Sequence, residues 1–235
     1  MTERKSKVSI LICAVLSFGV FASIGYSNVL APGGCAGLGT IACPGAVTDF
    51  GTDPGFFPTT VLANTGVQNF TGISGNFAGT FDEIVARDSV TGNLDFIFQV
   101  HNNGTSLDAI DRITTNSFKG FTTDVGYSST VFITAMGTGS RFPTNVDRNL
   151  GGDVVGFDFS DTTLGGLQPG QTTYLLVIKT NATLFTAGFV NFLDGDIAQV
   201  AAFAPTAVPE PTSVLLLGTV LFGVTSLMRR RIKKA

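Results

Sequence analysis

The strongest constraint on the fold is a series of short segments in which apolar and polar residues alternate, separated by turns rich in glycine and asparagine. The clearest segment is residues 93–101, where Leu94, Phe96, Phe98 and Val100 occupy every second position. Alternation with a period of two places these side chains on one face of a β-strand. The segment therefore predicts a strand with one face in a hydrophobic core.

The same kind of pattern recurs along the chain. Residues 76–87 alternate in part, and the turn at 89–92 predicts that they pair with residues 93–101 as a hairpin. Residues 174–179 form a nearly continuous β-rich apolar run, which is typical of a strand buried on both faces. Further strands are expected at residues 108–118, 120–125, 129–135, 153–160, 172–180, 185–192 and 196–203. About ten short strands predict an all-β fold, an Ig-like or jelly-roll β-sandwich.

The composition agrees with a β-rich body. Charged residues make up 13% of the chain, glycine occurs 29 times, and glutamate occurs only at Glu3, Glu83 and Glu210. Because exposed helix faces usually carry Glu, Lys and Arg, this composition disfavours long helices in the body. Between residues 8 and 209 there are 15 acidic and six basic side chains. An acidic body without a basic patch argues against nucleic-acid binding.

The N-terminus has the pattern of a secretory signal peptide. Residues 1–7 are basic and polar, residues 8–24 are almost wholly apolar, and small residues follow. A basic start, an apolar run and small residues at the cleavage site are the three parts of such a signal. We therefore expect a signal helix in residues 1–27, handled by the Sec machinery and signal peptidase. The alternative is an uncleaved membrane anchor.

The two cysteines beyond this signal suggest a disulfide. Residues 28–70 are expected to form a loop-rich leading segment before a β-sandwich domain at residues 71–207. Cys35 and Cys43 lie in the leading segment. An even pair of cysteines in an exported chain predicts a disulfide between them. Two free thiols or a metal site are the alternatives.

The C-terminus contains three distinct parts in order. Pro209, Glu210 and Pro211 come first, and the apolar residues 214–228 follow without a charge. As a helix, this run would be about 22 Å long, which is short for a bilayer core of about 30 Å. Flanking residues and snorkelling side chains could close the gap. The third part is a basic cluster expected to stay in the cytoplasm: Arg229, Arg230, Arg231, Lys233 and Lys234.

These three parts together resemble the PEP-CTERM sorting signal. The resemblance implies that residues 208–235 are recognised by exosortase, a membrane protease-transferase, and processed near residues 209–211. It also implies anchoring in the inner membrane before processing, and a place at the cell surface or in an extracellular polysaccharide matrix afterwards. Body segments such as the one at 95–103 resemble the globular part of other PEP-CTERM proteins, whose role is undefined.

Few residues in the body suggest chemistry. Asp194 and Asp196 flank a glycine, and hard carboxylate oxygens suit a calcium site, although an ordinary turn explains the same residues. A hydrolase would pair His101, the single histidine, with a serine and an aspartate, but no nucleophile-elbow motif is present. Carboxylate pairs such as Asp82 with Glu83, or Asp158 with Asp161, do not identify two groups facing a cleft. No phosphate-loop, dinucleotide or zinc spacing occurs.

These observations favour a protein without catalytic activity. We expect an exported structural or adhesive protein of a polysaccharide matrix. A carbohydrate- or calcium-binding module is the first alternative, with Ca²⁺ as the only candidate cofactor. A secreted hydrolase is the second alternative.

Overall fold

The computed structural model describes residues 29–37, 43–52, 60–130, 136–160 and 165–207, and these form two facing β-sheets. The strands in these residues are β1 (Cys35–Gly37), β2 (Thr48–Asp49), β3 (Thr60–Asn64), β4 (Gln68–Thr71), β5 (Ala78–Arg87), β6 (Leu94–Asn102), β7 (Arg112–Thr115), β8 (Thr123–Ser128), β9 (Asn145–Arg148), β10 (Val155–Asp158), β11 (Leu175–Thr180), β12 (Leu184–Leu193) and β13 (Ile197–Thr206).

The strands divide into a six-stranded and a seven-stranded sheet. The six-stranded sheet has the order β1-β9-β10-β7-β12-β13. The seven-stranded sheet has the order β2-β8-β11-β6-β5-β3, with β4 also paired to β5. The neighbouring strands are antiparallel except for the short parallel pair β2–β8. This arrangement is a β-sandwich, and the predicted fold class is confirmed.

The core between the sheets is rich in phenylalanine. Alternate residues of β6 point inward, and Phe98 contacts Phe157 of the opposite sheet edge-to-face, with centroids 5.4 Å apart. Phe192 stacks on Phe70 at 3.9 Å and meets Phe81 edge-to-face at 6.0 Å. Aromatic pairs of this kind add about 0.5–1.5 kcal/mol each beyond the burial of their area. The many phenylalanines of the sequence therefore fill the space between the sheets.

The seven-stranded sheet is also buried on its outer face. A second apolar cluster lies there, and it includes Phe50 of the short 3-10 helix Phe50–Thr52. The cluster contains Ile84 of β5, Ile97 of β6 and Val177 of β11. Strands buried on both faces lose the alternation of apolar and polar residues. This explains the continuous apolar run in β11.

The sequence located most strands but missed others. The predicted hairpin is present, because β5 and β6 pair along their length from Arg87 opposite Leu94 to Gly79 opposite Asn102. The segment 28–70, expected to be rich in loops, contributes β1 to one sheet and β2, β3 and part of β4 to the other. Strand β9 had no prediction. The expected strand at 129–135 lies mostly outside the described residues.

Within the described ranges, no helix is both long and apolar enough to cross a bilayer. The expected signal helix in residues 1–27 and the expected membrane helix at 214–228 lie outside those ranges.

Candidate functional site

The C-terminal sorting segment follows directly after the last strand of the sandwich. Strand β13 ends at Thr206, three residues before Pro209. The outer edge of β13 is fixed by neighbours: the carbonyl of Ala201 accepts a bond from Gln68 (2.8 Å), and the N–H of Phe203 donates to the Glu83 carboxyl (2.7 Å). These contacts therefore fix the folded domain as far as the start of the sorting segment. The predicted sorting residues themselves, Pro209, Glu210, Pro211 and the basic cluster at 229–234, lie outside the described residues.

The structure joins Cys35 and Cys43 in a disulfide. Cys35 begins β1, which pairs with β9 through Cys35 opposite Asp147. The bond closes a loop across a sequence separation of eight residues. The disulfide thus fixes the edge strand of the six-stranded sheet, far along the chain from the sorting segment.

The two aspartates of the candidate calcium turn have different partners. Asp194, Gly195 and Asp196 connect β12 to β13, with the N–H of Asp194 bonded to the carbonyl of Asp196 at 3.1 Å. The carboxyl of Asp196 accepts bonds from the N–H groups of Ser74 (2.9 Å) and Ile197 (2.8 Å). Asp196 thereby ties the β12–β13 turn to the neighbouring turn at 72–75. This is the arrangement of a turn stabilised by its own side chains.

Asp194 instead lies beside two other carboxyl groups. The pKa of Asp194 is raised to about 6, mainly by burial and also by the nearby carboxyls of Asp111 and Asp108. Among the described residues, no group of three or more His, Cys, Asp or Glu side chains is placed to hold a metal ion. The calcium site at Asp194 and Asp196 stays a prediction.

The residues considered for hydrolysis lie apart. The Nδ1 atom of His101 is 2.9 Å from the hydroxyl of Thr172, on the outer face of the seven-stranded sheet. Asp82 and Glu83 are adjacent on β5, so their side chains point to opposite faces of the sheet. Asp158 accepts bonds from the N–H and hydroxyl of Ser160. The carboxyl of Glu83 accepts the N–H of Phe203 on β13, on the opposite sheet.

The structure reveals an aromatic stack that the sequence did not indicate. The ring of Tyr127 on β8 lies 5.6 Å from Phe142 and 5.7 Å from Tyr174, with interplanar angles of 23° and 20°. Tyr174 precedes β11, and its N–H donates to the carbonyl of Arg141 (2.7 Å). Phe142 is 44% exposed, and the two tyrosines are partly exposed. The three rings were not recognised as neighbours because they are far apart in sequence.

Polar groups lie next to this stack. Asp49 on β2 stands opposite Tyr127 in the sheet, and its carboxyl accepts bonds from the N–H (3.0 Å) and hydroxyl (2.6 Å) of Ser129. Burial raises the pKa of Tyr127, and Asp49 and Tyr174 raise it further. Aromatic faces beside fixed polar groups are the usual components of a small-ligand site.

The sequence did not indicate the burial of Glu83 and Asp95, two carboxyl groups whose pKa values are strongly raised. Glu83 is 2% exposed, and burial raises its pKa to about 8. Asp95 is 1% exposed, and burial raises its pKa to about 8 while Lys179 acts in the opposite direction. Sequence alternation gave no signal for either, since both residues lie in strands that are buried on both faces.

Comparison with known families identifies the C-terminal segment. A family model described as the PEP-CTERM protein-sorting motif matches residues 207–231. The chain therefore carries a PEP-CTERM sorting motif, and the resemblance inferred from Pro209, Glu210 and Pro211 is confirmed. The motif indicates an exported, cell-surface-targeted protein that undergoes exosortase-dependent processing. The match does not extend into the β-sandwich. Comparison with curated proteins found no match, and comparison with solved structures found none either.

Proposed function

We propose that this protein is a structural or adhesive component of the cell surface or of the polysaccharide matrix outside the cell, without catalytic activity. The observation that carries the proposal is the sorting motif at residues 207–231, which begins one residue after β13 ends at Thr206. Processing near residues 209–211 would remove the apolar run and the basic cluster without cutting a strand. The complete sandwich would then be delivered outside the cell.

The proposed route has several partners. The signal at residues 1–27 would engage the Sec machinery and signal peptidase. The apolar run at 214–228 would hold the chain in the inner membrane until exosortase acts. The released sandwich would then contact the extracellular polysaccharide or remain attached at the surface.

Fractionation of the native host tests the matrix role. We expect the processed protein to be enriched in the matrix fraction of cells that make extracellular polysaccharide. In cells that cannot make the polysaccharide, the same protein should move to the medium. A distribution that is identical in both strains would contradict a matrix role while leaving the sorting motif unaffected.

A carbohydrate-binding role is the second candidate, because of the Tyr127–Phe142–Tyr174 stack. Sugar rings present C–H faces that pack on aromatic rings, and the hydrogen-bonded carboxyl of Asp49 lies beside Tyr127. Phe142 is the most accessible part of the stack because it is 44% exposed. The stack would bind a neutral or weakly charged glycan, since the body of the chain is acidic.

A glycan-binding screen tests this candidate. We expect Phe142→Ala to weaken binding tenfold or more, on the scale of about 1–3 kcal/mol for loss of a stacking partner. The matched control is Phe189→Ala, which removes an aromatic ring of 38% exposure from β12. Equal loss of binding in both variants would contradict a site at the stack. Repeating the screen with and without Ca²⁺, and with Asp194→Asn, tests the predicted calcium site.

A further inference from the structure

One half of strand β12 has an open backbone edge. Residues 184–193 of β12 all pair with β13 on one side. On the other side, β12 pairs with β7 only from Val190 opposite Thr115 to Leu193 opposite Arg112. Among the residues that the structure describes, residues 184–189 have no strand on that side. About half of their N–H and C=O groups point toward the open edge, because these groups alternate in direction along a strand.

The edge is open because β7 is cut short. Strand β7 ends at Thr115, and Ser117 has a φ of 71°, in the left-handed region. This conformation turns the chain out of the sheet. Phe118 then enters the core, where its ring meets Phe96 edge-to-face at 5.7 Å. The residues that follow β7 therefore form a loop and do not continue the strand alongside residues 184–189.

The opposite edge of the same hairpin is protected. On β13, the carbonyl of Ile197 accepts a bond from the N–H of Ile73 (3.0 Å), and the carbonyl of Ala201 accepts from Gln68 (2.8 Å). The N–H of Phe203 donates to Glu83. Edge strands that carry open N–H and C=O groups readily pair with another chain unless they are covered, charged or broken by proline. Within the described ranges, the β13 edge of the hairpin has such cover and the β12 edge at residues 184–189 does not.

The open edge also lacks the usual devices that prevent pairing. Residues 184–189, with the sequence LFTAGF, contain no charge and no proline. Leu184 is 43% exposed and Phe189 is 38% exposed. Strand β12 has no charged residue along its length, and neither has β13. In an acidic molecule, the two strands of this hairpin form an uncharged surface that a second copy can approach.

We propose that the open edge of β12 pairs with the same edge of a second copy of this chain, with residues 185–189 of one copy opposite residues 185–189 of the other. An antiparallel pair of identical edges is self-complementary about a two-fold axis, so that each copy covers the open groups of the other. The pairing extends the six-stranded sheet across two molecules. An axis near Ala187 brings Phe185 of one copy opposite Phe189 of the other, an aromatic cross-strand pair of the kind that stabilises sheets. This inference concerns assembly and does not depend on the matrix role.

Cysteine cross-linking in the native host tests the pairing. Residues at the two-fold axis face their own copies with Cα atoms about 4.5–5.5 Å apart, within reach of a disulfide. We expect mild oxidation to convert Ala187→Cys into a covalent dimer that reduction abolishes. Ala187 is exposed, so that folding should tolerate the change. The matched control is Ala201→Cys, which is exposed on the covered edge of the hairpin and should stay monomeric.

A second measurement keeps the test independent of cysteine reactivity. Light scattering on the processed protein recovered from the cell surface should give twice the monomer mass. The variant Ala187→Lys should restore the monomer mass, since like charges would face each other across the edge. The variant Ala201→Lys should leave the dimer intact. A monomer mass for the unmodified protein, or cross-links from Ala187→Cys only to other proteins, would overturn the proposal.

Discussion

At the scale of single residues, the least expected feature is that ionisable side chains such as Glu83 and Arg148 are buried and hydrogen-bonded to uncharged backbone groups. The carboxyl of Glu83, on β5, accepts a bond from the backbone N–H of Phe203 on β13, and Arg148 donates only to carbonyl groups among the contacts described for it. Burying a charged group is costly unless its bonds are satisfied. The sequence shows that these residues exist but not where they are buried, because burial depends on the loops that cover them.

Glu83 should make the stability of the protein depend on pH. Burial raises its folded pKa from 4.5 to about 8, so the folded state holds a proton that the unfolded state releases. This contribution is fully present below pH 4.5 and is lost as the pH rises through about 8. We expect the unfolding temperature to fall between pH 5 and pH 8.5. Asp95 acts in the same direction.

The variant Glu83→Gln should separate this effect from others. An amide keeps an oxygen that accepts the N–H bond of Phe203 and cannot ionise. The variant should match the unmodified protein at pH 5 and exceed its unfolding temperature at pH 8.5. The control is Asp153→Asn, a half-exposed position, which should leave the pH dependence unchanged. An equally steep decline in Glu83→Gln would show that this carboxyl is not responsible.

Arg148 should be the most sensitive cation in the domain. It is 4% exposed and donates to the carbonyls of Leu30 (3.1 Å), Phe118 (2.8 Å), Phe121 (2.9 Å) and Gly152 (2.7 Å). Lysine cannot reproduce this planar set of donors. We expect Arg148→Lys to lower the free energy of unfolding by about 2–4 kcal/mol, because at least two carbonyls lose their partner.

The matched control for Arg148 is Arg112. Its side chain is 31% exposed and pairs with Asp147 at 2.6 Å. Partly exposed ion pairs contribute about 0–1 kcal/mol, so Arg112→Lys should cost less than about 1 kcal/mol in chemical denaturation. Similar losses in the two variants would mean that the carbonyl contacts of Arg148 contribute little.

At the scale of elements, the sequence predicted strands best where one face is buried and the other is not. The pair β5–β6 was found because the inward residues of β6 alternate. Strand β9 was missed because it has only four residues, Asn145–Arg148, with one apolar side chain. The end of β7 was also missed, since a positive φ at a serine has no sequence signature.

Ser117 offers a direct test of that strand ending. A left-handed conformation costs residues with a Cβ about 1–2 kcal/mol, and Ser117 is exposed, so burial does not enter the comparison. We expect Ser117→Gly to keep or raise the unfolding free energy, by at most about 1 kcal/mol. Ser117→Val should lower it by about 1 kcal/mol or more, because β-branched residues avoid this region. Urea denaturation of the pair measures the difference, and a more stable valine variant would contradict the turn.

At the scale of the whole molecule, the sequence identifies the sorting motif, whereas the structure identifies the aromatic stack and the end of the folded domain. The sorting motif could be read from the sequence alone, because it is a local pattern of residue types in a fixed order. The Tyr127–Phe142–Tyr174 stack could not, because its rings come from separate strands and loops that only the sandwich brings together. The structure adds that the folded domain ends at Thr206, next to the motif, so that processing and folding are separated along the chain.

The central claim is that exosortase processing delivers an intact sandwich to the outside of the cell. Intact mass and C-terminal peptide mapping of the protein from the surface and medium fractions of the native host test it most directly. The account predicts a C-terminus near residues 209–211 that depends on the host's exosortase. A C-terminus at Ala235, with the protein retained in the membrane, would contradict it.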